Sequence, residues 1–344
     1  MAKLKRKIEA GIHRLKADDL NYFEEQFMYG HREILLSYIL ENGLDFPATS
    51  YLQAGLAHGW APHFEIWRLR KKSLIRTPRY TWNSPITSKQ NIKLGQIPIG
   101  SPWLYLLLSL GIEPGEIAEL PIKDQRKNLI MPYHSEGLHL KRISDQALHF
   151  KSFVNPAETT VCLFWNDFCD PINRATYLNL GFKLECVGYP HRVKDSYKIG
   201  APRTFFLMHL LNLMLEHRTY ITDSVSTSLF YASSLGKEII IKGDKISRDF
   251  LKNFTLSMDE IYEKDSSSGD IWLSKNEHYL SMSLSKLRYN NLKSWEELGH
   301  KYILTPKELT KLPWRENTAI PEHITEFRAQ LNNTSKQIKR ISIL

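Results

Sequence analysis

The chain has 344 residues, 42% of them hydrophobic and 11% aromatic, with 17 Gly and 16 Pro. That is enough apolar side chain for roughly two packed domains, which excludes a mainly disordered, collagen-like or low-complexity protein. The net charge of +9, from 46 Lys+Arg against 37 Asp+Glu, favours an anionic partner: nucleic acid, a phosphorylated substrate or an acidic membrane face.

The N-terminal stretch is basic. Lys3, Lys5, Arg6, Lys7, Arg14 and Lys16 are opposed only by Glu9, and the apolar run of a secretory signal is missing. Residues 51–57 read as a strand ending in His58-Gly59-Trp60. A glycine there lets a ligand approach the backbone and a histidine polarises it, while the plain alternative is a tight turn with a surface histidine. Residues 68–79 form a second basic stretch with no recognised nucleic-acid module, so a solvated face is expected and nucleic acid is not. A short strand over 80–82 precedes a helix over 101–110, with Ser101 as N-cap and Pro102 in the first position.

Residues 128–131 read as a strand running into Pro132-Tyr133-His134-Ser135-Glu136-Gly137. A carboxylate beside a histidine at a strand end is a general-base pair. Ser135 as a helix N-cap is the structural alternative, and both hold together if the helix end also binds an anion. Pro156 and its polar flanks mark a hinge. The expected organisation is therefore an α/β half over 1–155, a second over 156–315, and a basic helical tail over 316–344.

The second half is the more regular. Strands are expected over 159–164, 182–187, 219–222 and 238–241, and helices over 172–180, 203–218 and 226–235. Gly181 and Gly236 stop two of those helices. Residues 165–171 are expected to form a turn carrying Asp167 at a strand end. Alternating strands and helices imply βαβ units and a parallel sheet, whose ligands sit at the carboxyl ends of the strands. Two clusters lie there: Tyr189-Pro190-His191-Arg192, and Asp223 followed by Ser224, Ser226 and Thr227. Hydroxyls and N–H groups at a helix N-terminus hold phosphate, and His191 and Arg192 are expected to reach the same one.

Two apolar stretches, 102–112 and 205–215, fall short of the ~20 residues of a spanning helix. The three cysteines, Cys162, Cys169 and Cys186, fit neither a disulfide framework nor zinc and suit a reducing, cytoplasmic compartment. Phosphate-loop, dinucleotide and metal-ligand motifs are absent from the sequence, so no cofactor or metal is expected.

The segment 221–241, with Ser224, Ser226, Thr227, Phe230, Tyr231 and Leu235-Gly236-Lys237, resembles the late nucleotide-binding helix of bacterial GT-B glycosyltransferases of capsule and lipopolysaccharide assembly. Gln53, His58-Gly59-Trp60 and the segment 100–105 are similar too. The order Ser135-Glu136-Gly137, Pro190-His191, Ser226-Thr227 resembles that of GT-B sialyltransferases, with one acidic residue instead of two and the His-Pro pair reversed. The resemblance covers roughly residues 51–242 and implies two Rossmann-like domains facing each other across a cleft. It further implies transfer of a sialic acid, another nonulosonic acid or Kdo from a CMP-sugar to a glycan or glycolipid hydroxyl, without a metal.

On this reading Glu136 is the base, His134 positions or replaces it, and Asp167 stands in reserve. His191, Arg192, Ser224, Ser226 and Thr227 hold the nucleotide, and His58, Gly59 and Trp60 line the acceptor side. The basic stretches suit the inner face of the cytoplasmic membrane. A UDP- or GDP-sugar donor, or a non-catalytic nucleotide- or glycan-binding protein of the same fold, are the alternatives.

Overall fold

The computed structural model describes residues 29–56, 79–82, 96–120, 127–132, 140–187, 206–223, 226–242, 287–316 and 324–342. The chain is an α/β protein. Its centre is a five-stranded sheet of β6 (Asn128–Ile130), β7 (Thr159–Phe164), β8 (Lys183–Val187), β9 (Thr219–Thr222) and β10 (Glu238–Ile241). The strands lie in the order β10-β9-β6-β7-β8, and every pairing is parallel.

Each parallel step needs a crossover, and helices fill that part of the sequence. α3 (Leu140–Lys151) joins β6 to β7. The short α4 (Trp165–Cys169) and α5 (Pro171–Asn179) join β7 to β8. α6 (Phe206–Leu215) precedes β9, and α7 (Thr227–Ser234) joins β9 to β10. The segment 165–171, expected to be a turn, thus contains a helical turn. Asp170 then caps α5, accepting from the Ile172 N–H at 2.8 Å, with Pro171 in the first position.

Strand side chains alternate between faces, and the core divides accordingly. Ile130, Val161, Leu163 and Ile221 pack with Ile143, Ala147 and Phe150 of α3 and Tyr177 of α5. Leu129, Cys162 and Tyr220 pack on the other side, with Leu207 and Leu211 of α6 and Leu229 and Phe230 of α7.

That second core continues into α1 (His31–Glu41), α2 (Pro102–Ser109) and α8 (Leu287–Glu297). Trp103 of α2 stacks on Tyr231 of α7 at 4.3 Å, and its indole N–H donates to Ser234 Oγ at 2.9 Å. Ser101 caps α2 as expected, accepting from the Trp103 N–H. Gly299, at φ +87°, lets the chain pass against Trp82, where a Cβ would collide with the carbonyl. Residues before 121 and the helix after β9 therefore share one apolar interior.

The other sheets are small. β2 (Gly55–Leu56), β3 (Arg79–Thr81) and β4 (Gln96–Pro98) form a parallel trio. β1 (Ser50–Leu52) pairs antiparallel with β11 (Trp314–Glu316), and β5 (Glu116–Glu119) with β12 (Lys339–Ser342). The single strand expected over 51–57 is thus two strands serving different sheets. They part at Gln53, whose N–H is taken by the Pro313 carbonyl. In the C-terminal tail, α10 (Ile324–Gln337) keeps the helical pattern and β12 follows it. α9 (Pro306–Leu309) opens with a reciprocal Thr305–Glu308 capping box.

The sheet also relocates β6. The strand lies at its centre, so one sheet spans 128–241 and straddles residue 155, where a boundary between halves is expected.

Candidate functional site

All five strands point the same way, so their carboxyl ends form one edge. The chain moves outward from β6 to β7 to β8, then returns to the other side of β6 with β9. Between β6 and β9 the direction of winding reverses. Such a switch point opens a crevice outside the strand ends, where ligands of doubly wound sheets bind.

Pro132 follows β6 there, and Asp223 follows β9. Asp223 is 5% exposed. Gln146 of α3 donates its amide N–H to Asp223 Oδ2 at 2.6 Å, and the Tyr177 hydroxyl donates to Gln146 Oε1 at 2.9 Å. Burial first, then the nearby Asp223 and Asp167 carboxylates, push the Tyr177 hydroxyl well above its ordinary pKa. Tyr177 stays protonated and serves as a fixed donor, which orients Gln146 and, through it, Asp223.

Beyond Asp223 the chain turns into α7. Ser226 occupies the N-cap position with extended backbone, but its side chain does not cap the helix. Ser226 Oγ lies 2.8 Å from Ser228 Oγ, and Ser228 Oγ lies 2.6 Å from the Tyr220 hydroxyl. Burial raises the Tyr220 pKa, partly opposed by hydrogen bonds from Ser228, Ser226 and Thr222, and Asp223 raises it further. The helix dipole and first-turn N–H groups make this end a place for an anion, with hydroxyls beside it.

Of the residues given a catalytic or binding role from the sequence, the structure describes three. Ser226 and Thr227 begin α7. Asp167 lies on α4, near Tyr177 on the α3–α5 side. His58, Gly59, Trp60, His134, Glu136, His191, Arg192 and Ser224 lie outside the described residues. The sheet order bears on two groups of them. β8 and β9 are consecutive in sequence but three strand positions apart, about 14 Å. β8 is thus not the strand beside β9, contrary to the expectation of neighbouring strand ends, while the reach of His191 and Arg192 themselves lies outside the described residues. The strand beside β9 is β6, and His134 and Glu136 follow β6 in sequence.

Asp223 heads one of the two expected clusters but had no role assigned to it, and Gln146, Tyr177, Tyr220 and Ser228 were not among the expected site residues. A carboxylate directly after a strand signals Asp223. Nothing local signals Gln146, which enters only because α3 packs over the end of β9. Among the described residues no group of three or more His, Cys, Asp or Glu is placed to hold a metal ion. No helix among them is long and apolar enough to cross a membrane. Neither a protein-family model nor a curated protein matches the chain.

Proposed function

We propose that the protein is a nucleotide-sugar-dependent glycosyltransferase whose donor phosphate rests on the amino end of α7. The observation that carries this reading is the meeting of a helix N-terminus, the Ser226–Ser228–Tyr220 hydroxyl cluster and Asp223 at the switch point of a parallel sheet. Phosphate oxygens accept from Ser226, Thr227 and the first-turn amides, so charge that builds on the leaving nucleotide is stabilised without a metal. The GT-B arrangement of two Rossmann-like domains is part of this proposal, supported by the resemblance over 221–241. So is a CMP-sugar donor of the sialic acid, nonulosonic acid or Kdo type, with UDP- and GDP-sugars as the alternative.

A sugar hydroxyl attacks only if its proton has somewhere to go. Glu136 is the proposed base, with His134 beside it and Asp167 second. The topology supports Glu136, because its segment follows the strand adjoining β9. The acceptor is a surface glycan or glycolipid, and the basic stretches 1–16 and 68–79 suit an anionic leaflet.

Glu136→Gln should lower turnover of a CMP-sugar donor about 10²–10⁴-fold while leaving nucleotide affinity nearly unchanged. Steady-state turnover together with nucleotide titration checks both halves. Near-normal turnover in the variant removes Glu136 as base, and the absence of donor turnover in the wild-type protein with CMP-, UDP- and GDP-sugars removes the enzyme.

A further inference from the structure

β8 ends the five-stranded sheet, and among the described residues only β7 pairs with it. Such an edge offers a row of N–H and C=O groups to any strand that fits, and lysines commonly blunt it by repelling a second copy. β8 carries both signs, two residues apart. Lys183 Nζ lies 3.2 Å from Glu185 Oε1, with the two side chains 39% and 32% exposed. Both lie on the face of the sheet that packs with α6, and Leu184 lies on the other, with α3 and α5.

This spacing is self-complementary. With a second β8 antiparallel about a two-fold axis at Leu184, Lys183 stands opposite the partner's Glu185, and Glu185 opposite the partner's Lys183. Opposite charges at such facing positions stabilise a strand pair, and like charges there destabilise it. An axis at Lys183 or at Glu185 sets two like charges face to face, so the charges select Leu184.

Bonds already made at β8 select the same register. The His209 imidazole of α6 donates to the Cys186 carbonyl, which therefore points out of the sheet instead of towards β7. Peptide groups alternate in direction along a strand. Leu184 thus also presents its N–H and carbonyl at the edge, and two copies centred there exchange both bonds. Cys186 then faces the partner's Phe182. One bond of that pair, from the Phe182 N–H to the Cys186 carbonyl, has both of its ends committed elsewhere. The Phe182 N–H goes to the Tyr177 carbonyl at 3.3 Å, and the Cys186 carbonyl goes to His209. The used donor and the used acceptor are counterparts, so the pairing strands neither.

We infer that the protein pairs with a second copy of itself through β8, so that two sheets become one across a two-fold axis at Leu184. α5 and α6 pack on β8 from its two faces and meet their copies beside the axis. Ile172 and Leu178, each more than half exposed, lie on opposite flanks of α5, so the flank towards the partner carries apolar surface. The inference is independent of the glycosyltransferase reading.

Sedimentation equilibrium of the full chain over about a hundredfold range of concentration tests it. The wild-type protein should associate to a dimer. Glu185→Lys puts lysine opposite lysine on both sides of the axis and should weaken that dimer about ten- to a hundredfold. Exchanging the two charges, Lys183→Glu together with Glu185→Lys, restores opposite pairs and should restore the wild-type dimer. The exchange contains the same change as the single variant, so recovery separates charge pairing from damage to β8. A wild-type protein that stays monomeric at the highest concentration overturns the inference. So does a dimer unchanged in Glu185→Lys, or one that the exchange fails to restore.

Discussion

Lys237 is 2% exposed, and its ammonium nitrogen finds no hydrogen-bond partner among the described residues. Burial lowers its pKa from 10.5 to about 8; Glu119 partly opposes this and Arg218 adds to it. Below about pH 8 the folded protein must carry a buried, unpartnered charge that the unfolded chain keeps in water. Between about pH 8 and 10.5 the unfolded chain binds a proton that the folded one does not, so stability rises with pH across that window. Lys237→Met should therefore raise unfolding free energy at pH 7 by about 1–3 kcal/mol, with the gain shrinking towards pH 10.5. Urea unfolding at pH 7, 9 and 10.5 measures this, and a variant no more stable than wild type at pH 7 contradicts it. The site shows the same limit of local reading. Ser226 and Thr227 are legible because hydroxyls before an apolar helix announce an N-terminus. Lys237 looks like an ordinary surface residue until the fold buries it.

At the scale of elements, α7 is the part on which the account turns, and its far end is firmly held. Asn291 of α8 donates to the Ser234 carbonyl at 2.8 Å and to the Glu116 carbonyl at 3.0 Å, and accepts from the Gly115 N–H at 2.7 Å. The Trp295 indole adds a bond to the same Ser234 carbonyl. These contacts satisfy the carbonyl of Ser234, the last residue of α7. Gly236 then leaves the helix at φ +72°, where a Cβ would meet Ile117 at 2.7 Å. Asn291→Ala should cost about 1–3 kcal/mol, because the Gly115 N–H and the Glu116 carbonyl lose this partner while the Ser234 carbonyl keeps the Trp295 indole. Thermal unfolding within the range of a neutral surface change, about 0.5 kcal/mol, would refute this. Strands β7, β9 and β10 are legible because apolar runs there are closed by turn residues. β5, β11 and β12 are not, since each is a few residues long and owes its strand character to a partner remote in sequence. Asn291 gives no sequence signal for the same reason.

For the whole molecule, the alternation of strand and helix over 159–241 specifies a parallel sheet, but not the order of its strands. That order is set by which crossovers bury both faces, a non-local matter. It puts β6 at the centre, joins residues on both sides of position 155 in one sheet, and sets the carboxyl ends of β6 and β9 side by side. The same order separates β8 from β9, so neighbours along the chain are not neighbours at the edge. The central claim is that a nucleotide phosphate binds at this edge, on the amino end of α7. A ligand that binds only the folded state raises its melting temperature, so thermal unfolding with CMP, UDP, GDP and CDP at matched concentration reads the claim directly. CMP should give a clear rise that Ser226→Ala largely removes without lowering the melting temperature of the unliganded protein. No shift with any of the four nucleotides, or an undiminished shift in Ser226→Ala, would contradict it.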